Sequence, residues 1–378
     1  MKKSMGLISI ALIALIGLTV SCAKEPKEIK IGAILPLTGD AAVWGTSLKE
    51  GMDLALEEIN ENGGIQGKPI KLIYEDDKAN PADGVAAVQK LLVTDKVKGI
   101  VGVANSSVAL AIIPIITKEK VIFVSGGASS PKLTGSSPYF FRTWPSDIQE
   151  AYAMAKFAVK DKGYKNIAIL YINNEYGIGL KESFSRKVLE YGGAILGAEL
   201  FEQEATDFRT QISKIKALNP EAIYVIGNPK EMARCIRQIK ELGIKTQLLS
   251  ISTLNEPEIV PQIAGDAIEG IFVTDVSFDP KSSDPNTQNF ISKFRAKYNK
   301  EPGILTVTGY DALKVLSYAM SKVGFDADRI AAELRELKDY PGAGGKLSFT
   351  EGGDVIRPVR IAIVKDGKFA KYADIDWK

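Results

Sequence analysis

The feature that most limits the possible folds of this chain is a regular alternation of short apolar segments with longer segments of helical periodicity. The short segments, predicted as strands, cover residues 29–35, 70–74, 99–103, 121–125, 167–171, 194–199, 222–226 and 247–250. The helical segments include one marked by Leu48, Met52, Ala55, Leu56 and Ile59 and ended by Gly63-Gly64, one that begins at Asn80-Pro81, and two over residues 108–117 and 180–191. Strands that alternate with helices predict the α/β class, with parallel sheets wrapped by helices.

The alternation begins anew after Arg142-Thr143-Trp144-Pro145, which predicts two units of similar design. A length of 378 residues also favours two domains over one. Neither unit opens with the Gly-rich turn of a dinucleotide site, because Gly32, Gly39 and Gly45 lack its spacing. The predicted fold is therefore two doubly wound parallel-sheet lobes without a nucleotide cofactor.

Composition excludes several classes of function. The chain has 48 Lys and Arg against 46 Asp and Glu, so the basic excess of a nucleic-acid-binding protein is absent. It has no His, which excludes Ser-His-Asp catalysis and most catalytic zinc sites. Asp76, Asp77 and Asp147 leave an acid–base enzyme as an alternative, although Asp76-Asp77 is more typical of a solvated loop. We predict no catalytic residue, metal or cofactor.

The N-terminus has the pattern of an export signal. Lys2 and Lys3 precede an apolar segment over residues 7–20, which is short for a membrane span, and Ser21-Cys22 follows. This resembles a bacterial lipoprotein signal, with residues 1–21 removed, Cys22 lipidated and residues 22–27 as a tether. It departs from that signal in having Thr19 three positions before the cysteine, and an ordinary cleaved signal is the alternative. We expect an exported protein anchored by lipid to a bacterial membrane, on its periplasmic or cell-surface side.

Several longer segments resemble one known family. They are residues 29–45 (IKIGAILPLTGDAAVWG), 59–81 (INENGGIQGKPIKLIYEDDKANP) and 204–227 (EATDFRTQISKIKALNPEAIYVIG). Together, over residues 28–378, they are similar to the type I periplasmic binding proteins of branched-chain amino acid ABC transporters. The resemblance implies two lobes joined by three strands that cross from one lobe to the other, near residues 143–146, 275–277 and 356–358. It assigns residues 28–144 and 277–356 to the first lobe, and residues 145–276 and 357–378 to the second.

The resemblance also implies a ligand site between the lobes. Asn105-Ser106-Ser107 follows a predicted strand, and Ser106 matches the family serine that donates to the ligand carboxylate; a plain helix cap is the alternative. In the loop of residues 125–130, Gly127 matches a carbonyl that accepts from a ligand ammonium. Ser129, next to Ala128, matches a bridging hydroxyl, and a simple turn is the alternative.

Two aromatic residues complete the implied site. Trp44 matches an aromatic over the ligand side chain, with core packing as the alternative. Tyr176 matches a second-lobe aromatic that closes over the ligand, and we expect it in a loop at Glu175-Tyr176-Gly177.

Two positions depart from the family pattern. Ser252 falls where the family has the Glu that pairs with the ligand ammonium, and Asn228 falls where it has a second-lobe Tyr. A buried ammonium without a carboxylate is costly. Either another acid replaces the Glu, with Asp147, Glu175 and Glu256 as the candidates, or the ligand is not a simple α-amino acid.

The resemblance thus implies a monomeric substrate-binding receptor of an ABC importer, whose partners are permease and ATPase subunits. The ligand would be a small carboxylate-bearing solute, namely a branched-chain amino acid or a related amino or organic acid, bound by hinge closure. A sensory receptor of the same fold, and an amide or aromatic acid as the ligand, stay open as alternatives. Cys235 is expected to be a buried hydrophobic residue rather than a reactive thiol.

Overall fold

The computed structural model describes residues 28–256, 259–276 and 278–377 of the chain. The predicted signal, the tether and the predicted lipidation site Cys22 lie outside the described residues.

Helices and strands alternate over most of this part of the chain. The helices are α1 (Ala42–Glu61), α2 (Pro81–Lys90), α3 (Ser106–Lys118), α4 (Asp147–Lys156), α5 (Glu175–Glu190), α6 (Arg209–Ala217), α7 (Pro229–Glu241), α8 (Val260–Ala264), α9 (Pro285–Tyr298), α10 (Ile304–Val323) and α11 (Ala327–Glu336). The strands are β1 (Ile29–Leu35), β2 (Ile70–Asp76), β3 (Ile100–Gly102), β4 (Phe123–Ser125), β5 (Phe140–Arg142), β6 (Asn166–Ile172), β7 (Ala194–Phe201), β8 (Ala222–Ile226), β9 (Gln247–Ser250), β10 (Phe272–Val276), β11 (Tyr340–Gly342), β12 (Gly345–Leu347), β13 (Val359–Lys365) and β14 (Lys368–Asp374).

The first large sheet is parallel throughout, in the order β2-β1-β3-β4-β5. The strand order reverses at β1, which pairs with β2 on one side and β3 on the other. Loops leaving the carboxyl ends of strands at such a reversal diverge and leave a crevice. The buried apolar residues around this sheet form one core, which draws on residues 29–144 and 276–355. We call this unit the first lobe.

Glycine allows two helices of the first lobe to approach closely. A Cβ on Gly51 of α1 would lie 1.9 Å from the carbonyl oxygen of Thr306 in α10. A Cβ on Gly309 of α10 would lie 2.5 Å from the carbonyl oxygen of Leu48. Because both positions lack a Cβ, the backbones of α1 and α10 meet directly, although the two helices lie far apart in sequence.

The second large sheet has the order β14-β13-β10-β9-β8-β6-β7. Its pairs from β7 to β10 are parallel, and β13 and β14 add to one edge in antiparallel orientation. Its strand order reverses at β6, as it does at β1 in the first sheet. A separate core surrounds this sheet and draws on residues 151–273 and 361–364. We call this unit the second lobe. The predicted α/β class with two doubly wound parallel-sheet lobes is confirmed.

The segments that connect the two cores are tied together by buried polar contacts. Arg357 donates to the carbonyl oxygen of Thr143 at 3.1 Å and forms an ion pair with Asp311 at 2.9 Å. The side chain of Gln149 donates to the carbonyl oxygen of Val355 at 3.1 Å and accepts from the backbone N–H of Arg357 at 3.3 Å. The predicted lobe bounds stay a prediction, namely 28–144 and 277–356 for the first lobe and 145–276 and 357–378 for the second. The chain passes from one hydrophobic core to the other close to these bounds.

Two local expectations are wrong. The segment Glu175-Tyr176-Gly177 is not a loop but the first turn of α5, because the side chain of Asn174 accepts from the N–H of Gly177 at 2.9 Å and caps the helix. Asp77 does not lie in a solvated loop: its exposed fraction is 0%. Its Oδ1 accepts from the N–H of Ala79 at 2.8 Å, and its Oδ2 has no hydrogen-bond partner in the part of the chain that the structure describes.

Candidate functional site

A cleft between the two lobes lies at the carboxyl ends of both large sheets. It encloses about 560 Å³, counting the part that is open to solvent. Residues that follow β3, β4 and β5 contribute from the first lobe, and residues of α4, α5 and the loop after β9 contribute from the second. We call these two sides the first wall and the second wall.

Ser106 is the centre of the first wall. The strand β3 ends at Gly102, and Val103 has a left-handed φ of 51°, which turns the chain towards α3. Ser106 is the first residue of α3, and its Oγ accepts from the N–H groups of Ser129 and Ser130 at 3.1 and 3.0 Å. It therefore joins the loop after β4 to the start of α3 instead of capping its own helix.

Asn105, the residue before α3, has a free acceptor in the cleft. Its side chain makes no capping hydrogen bond. Its exposed fraction is 8%, it lines the cleft, and no group in the described part of the chain donates to its Oδ1. A buried polar atom without a partner is costly, so this oxygen needs a donor from outside the described chain.

The loop of residues 125–130 forms the rest of the first wall. Gly127 and Ser129 line the cleft, whereas Ala128 is fully buried behind it. A Cβ on Gly127 would lie 2.9 Å from the Cα of Ala104, so only glycine fits without a shift. From beneath, the guanidinium of Arg142 donates to the carbonyl oxygen of Ser130 at 3.0 Å.

Aromatic residues close the cleft from both sides. The rings of Trp44 and Tyr176 meet across it in a T-shaped arrangement, with centroids 6.5 Å apart. The Nε1 of Trp44 has no acceptor within the described residues, and the hydroxyl of Tyr176 lies 3.0 Å from the Oγ1 of Thr253. Trp144, which in the sequence marks only the start of the second unit, also lines the cleft.

The second wall contains a buried carboxylate that the sequence analysis missed. Glu150 of α4 lines the cleft with an exposed fraction of 1%. Its Oε1 accepts from the Oγ of Ser252 at 2.9 Å, and its Oε2 accepts from the N–H of Ser252 at 3.2 Å and from the Oγ1 of Thr274 at 2.5 Å. Burial raises the pKa of Glu150, while the hydrogen bonds from Thr274 and Ser252 oppose that rise.

A second buried acid lies one turn before Glu150. Asp147 begins α4 and is buried, and among the described residues neither of its carboxylate oxygens has a hydrogen-bond partner. Burial raises the pKa of Asp147 well above its ordinary value, and the charge of Glu150 raises it further. The spacing of three residues places both acids on one side of α4, a signal that the sequence offers.

None of the three acids considered from the sequence lines the cleft. Asp147 lies behind the second wall, and Glu175 forms an ion pair with Lys132 of the first lobe at 2.8 Å. Glu256 is also absent from the lining. Glu150 is the acid that the fold brings to the cleft.

Two other predicted residues lie behind the lining. Ser252 is hydrogen-bonded to Glu150, and Asn228 donates to the Oε1 of Glu231 at 3.1 Å. Trp44, Asn105, Ser106, Gly127, Ser129 and Tyr176, by contrast, are brought together around the cleft. Lining residues that the sequence analysis did not select include Ser107, Trp144, Glu150, Asn174, Gln203 and Thr253.

Polar contacts join the lobes across the cleft. Asp40 of the first lobe pairs with Lys230 at 2.9 Å and with Arg234 at 3.3 Å, both on α7 of the second. The N–H of Glu175 donates to the Oγ of Ser107 at 3.2 Å. The described conformation is therefore one in which the two walls are in contact.

Within residues 28–256, 259–276 and 278–377, no group of His, Cys, Asp and Glu side chains is arranged to hold a metal ion. Over the same residues, no helix combines the length and the apolar character needed to cross a membrane. Cys235, in the described part of the chain, is buried and unpaired, and burial raises the pKa of its thiol.

Comparison with known proteins places these features in context. The model of the periplasmic binding protein family matches residues 28–368. The Leu/Ile/Val-binding protein BraC3 of Rhizobium johnstonii is 31% identical over 335 residues, which cover 87% of this chain and 89% of that protein. The crystal structure of the leucine binding protein LivK from Thermotoga maritima has a TM-score of 0.86 at 32% identity, over 92% of this chain and 99% of that one.

A solute binding protein of an ABC transporter from Rhodopseudomonas palustris, solved in complex with 3,4-dihydroxy benzoic acid, has a TM-score of 0.83 at 25% identity. The match covers 93% of this chain and 98% of that one.

Proposed function

The chain belongs to the type I periplasmic binding proteins of the branched-chain amino acid transporter family, and from that premise we propose that it is the extracytoplasmic substrate receptor of an ABC importer. Its ligand is a small carboxylate-bearing solute, of the class of the branched-chain amino acids or a related amino or organic acid. Hinge closure of the two lobes captures the ligand and presents it to the permease.

The observation that carries this proposal is the chemistry of the first wall. The start of α3 and Ser129 lie together at the cleft. Backbone N–H groups at a helix N-terminus and nearby hydroxyls bind carboxylates well, because the helix dipole and the unpaired donors both favour negative charge. The aromatic rings of Trp44 and Tyr176 supply the apolar surface for the rest of a small ligand.

The related proteins support two ligand classes. BraC3 and LivK are named for branched-chain amino acids and leucine, and the Rhodopseudomonas protein holds a hydroxylated benzoic acid. Both classes carry a carboxylate and an apolar body, which agrees with a common role for the first wall.

Binding is tested by thermal unfolding of the full-length chain, purified in mild detergent, with L-leucine, L-isoleucine, L-valine, their des-amino acids and benzoates. A ligand that binds only the folded state stabilises it by about 2.7 kcal/mol at 100 times its dissociation constant. Because Trp44 lines the cleft, its fluorescence should change with the same midpoint. No stabilisation by any acid in the panel would contradict the proposal.

We further propose that the chain is exported and held to the membrane by a lipid on Cys22, with residues 1–21 removed. Anchoring by one acyl chain is marginal and anchoring by several is stable. Mass spectrometry of the mature N-terminus, and membrane fractionation of a Cys22→Ser variant, test this step. A Cys22→Ser variant that stays with the membrane like the wild type would contradict it.

A further inference from the structure

We propose that Glu150 selects ligands that carry an amino group, so that the cleft takes zwitterionic amino acids in preference to acids without an amine. This inference rests on the proposed function and names the ligand class within it. It assigns recognition of the ligand amino group to Glu150 of α4, which was not among the acids that the sequence suggested for this role.

The first step is the geometry of the carboxylate. Glu150 reaches the cleft from α4, and Ser252 and Thr274 fix both of its oxygens by hydrogen bonds. Three donors to one carboxylate favour its ionised form and hold it in one orientation. Oε1 accepts only one of these bonds in the described chain and keeps a free lone pair, as a carboxylate oxygen can accept two.

The second step is the missing counter-charge. Within the described part of the chain, no Lys or Arg forms an ion pair with Glu150 or Asp147. The charge of Arg142 acts on Asp147 but not on Glu150, and Arg142 forms its ion pair with Asp354 at 2.6 Å. Arg360 forms its ion pair with Asp275 at 2.8 Å. A buried carboxylate without a cation is costly, and a ligand ammonium removes that cost.

The third step is an independent acceptor on the opposite wall. Asn105 lines the same cleft and is more than nine-tenths buried, and its Oδ1 has no hydrogen-bond partner among residues 28–256, 259–276 and 278–377. An ammonium has three N–H donors and no acceptor. A group held between Glu150 and Asn105 would satisfy an acceptor from each lobe, which an acid without an amine cannot do.

The inference predicts a ranking of ligands for the unmodified protein. L-leucine and 4-methylpentanoate differ only in the amino group, as do L-valine and 3-methylbutanoate. Removing one partner of a buried charge pair costs about 2–5 kcal/mol, so each amino acid should bind roughly 30-fold or more tightly than its des-amino partner. Isothermal titration calorimetry on the full-length chain measures both members of each pair.

Variants assign this preference to Glu150. Glu150→Gln should weaken L-leucine binding by roughly 30-fold or more and leave 4-methylpentanoate unchanged or tighter. The control Glu199→Gln removes an acid of the second lobe that pairs with Lys214 and does not line the cleft, and it should leave both affinities unchanged. Circular dichroism checks that each variant is folded.

A relocated acid provides a second test. The Oγ of Ser252 lies 2.9 Å from Glu150, so the double variant Glu150→Ser, Ser252→Glu places a carboxylate in the same space from a different element. It should recover the preference for L-leucine that Glu150→Gln loses. This recovery separates a charge that contacts the ligand from a side chain that only supports the fold.

The outcomes separate the inference from the proposed function. Equal or tighter binding of 4-methylpentanoate or benzoate to the unmodified chain overturns the inference and leaves the receptor function standing. A folded Glu150→Gln variant that keeps the full preference for L-leucine also overturns it. No binding by any probe refutes the proposed function, and the inference falls with it.

Discussion

The two walls of the cleft are built from opposite chemistry. The first wall presents neutral groups, namely the start of α3, the Asn105 amide and the hydroxyl of Ser129. The second wall presents the buried carboxylate of Glu150, with Asp147 behind it. The N–H groups at the start of α3 and the hydroxyl of Ser129 suit an anion, whereas the carboxylate of Glu150 suits a cation, so both lobes are needed to match a molecule that carries both charges.

The walls also differ in how they are held. In the first wall, the loop after β4 is fixed by Arg142 and Ser106, two side chains that act on backbone groups. In the second wall, Glu150 is fixed by two hydroxyls and one N–H, so the acid is itself the group being positioned. Substitutions in the first wall should therefore reduce stability most, whereas Glu150→Gln should act mainly on ligand choice.

The largest expected effect on stability comes from removing Arg142, which supports the first wall from beneath. Arg142→Met removes a fully buried guanidinium and leaves Asp354 without its cation, which should lower the free energy of unfolding by about 3–5 kcal/mol. Urea unfolding monitored by circular dichroism measures this loss. The double variant Arg142→Met, Asp354→Asn should lose less, because no buried charge is left unpaired. A loss below about 1 kcal/mol in the single variant would contradict this account of the wall.

The second prediction concerns Asp77, an acid that should affect stability but not ligand choice, in contrast to Glu150. Burial raises the pKa of Asp77 to about 7, from an ordinary value of 3.8. Between these values the folded state keeps a proton that the unfolded state releases, so stability falls as the pH rises through this range. The change amounts to about 3–4 kcal/mol.

Asp77→Asn removes this titration. Urea unfolding at pH 4 and pH 7.5 should therefore show a smaller loss of stability for the variant than for the unmodified chain. Asp77 does not line the cleft, so the preference for L-leucine over 4-methylpentanoate should be the same in both proteins. Equal pH dependence in the two proteins would show that Asp77 titrates normally.

The third prediction concerns the link between the two loops of the first wall. Ser106→Ala leaves the buried N–H groups of Ser129 and Ser130 without their acceptor, which should cost about 2 kcal/mol of stability. The control Ser213→Ala removes an exposed hydroxyl on α6 that donates to the carbonyl oxygen of Arg209, and should change stability by less than about 0.5 kcal/mol. Equal unfolding midpoints for the two variants would argue against the linking role of Ser106.

The smallest expected effect tests the contact between the lobes. Asp40→Asn removes two ion pairs that cross the cleft and are partly exposed, and pairs of this kind contribute about 0.2–1 kcal/mol each. Ligand affinity should fall by about two- to fivefold, because the closed form loses contacts that the open form lacks. Asp83→Asn removes the exposed pair with Lys78 inside the first lobe and should leave the affinity unchanged. Calorimetric titration of both variants decides between these outcomes.

Much of the fold could be predicted from the sequence, because local signals agree with it. The strands β1, β8 and β9 have the bounds that their apolar segments indicate, and α2 begins at Pro81 after the cap Asn80. Short apolar segments between helical segments can bury both faces only in a covered sheet. The start of α5 does not follow from apolar periodicity, because its cap Asn174 lies before the first apolar residue of the helical pattern.

The sequence by itself determined the class of fold and the two units, because both depend on periodicity, which is a local property. The residues of the first wall were expected from the resemblance to the family. Only the tertiary structure decided which acid reaches the cleft. Glu150 meets Ser252 and Thr274 from 102 and 124 positions away, because α4 packs against β10. Such a contact joins residues that are far apart in the sequence and that meet only when the second lobe is folded. Residue spacing along the chain therefore does not predict it.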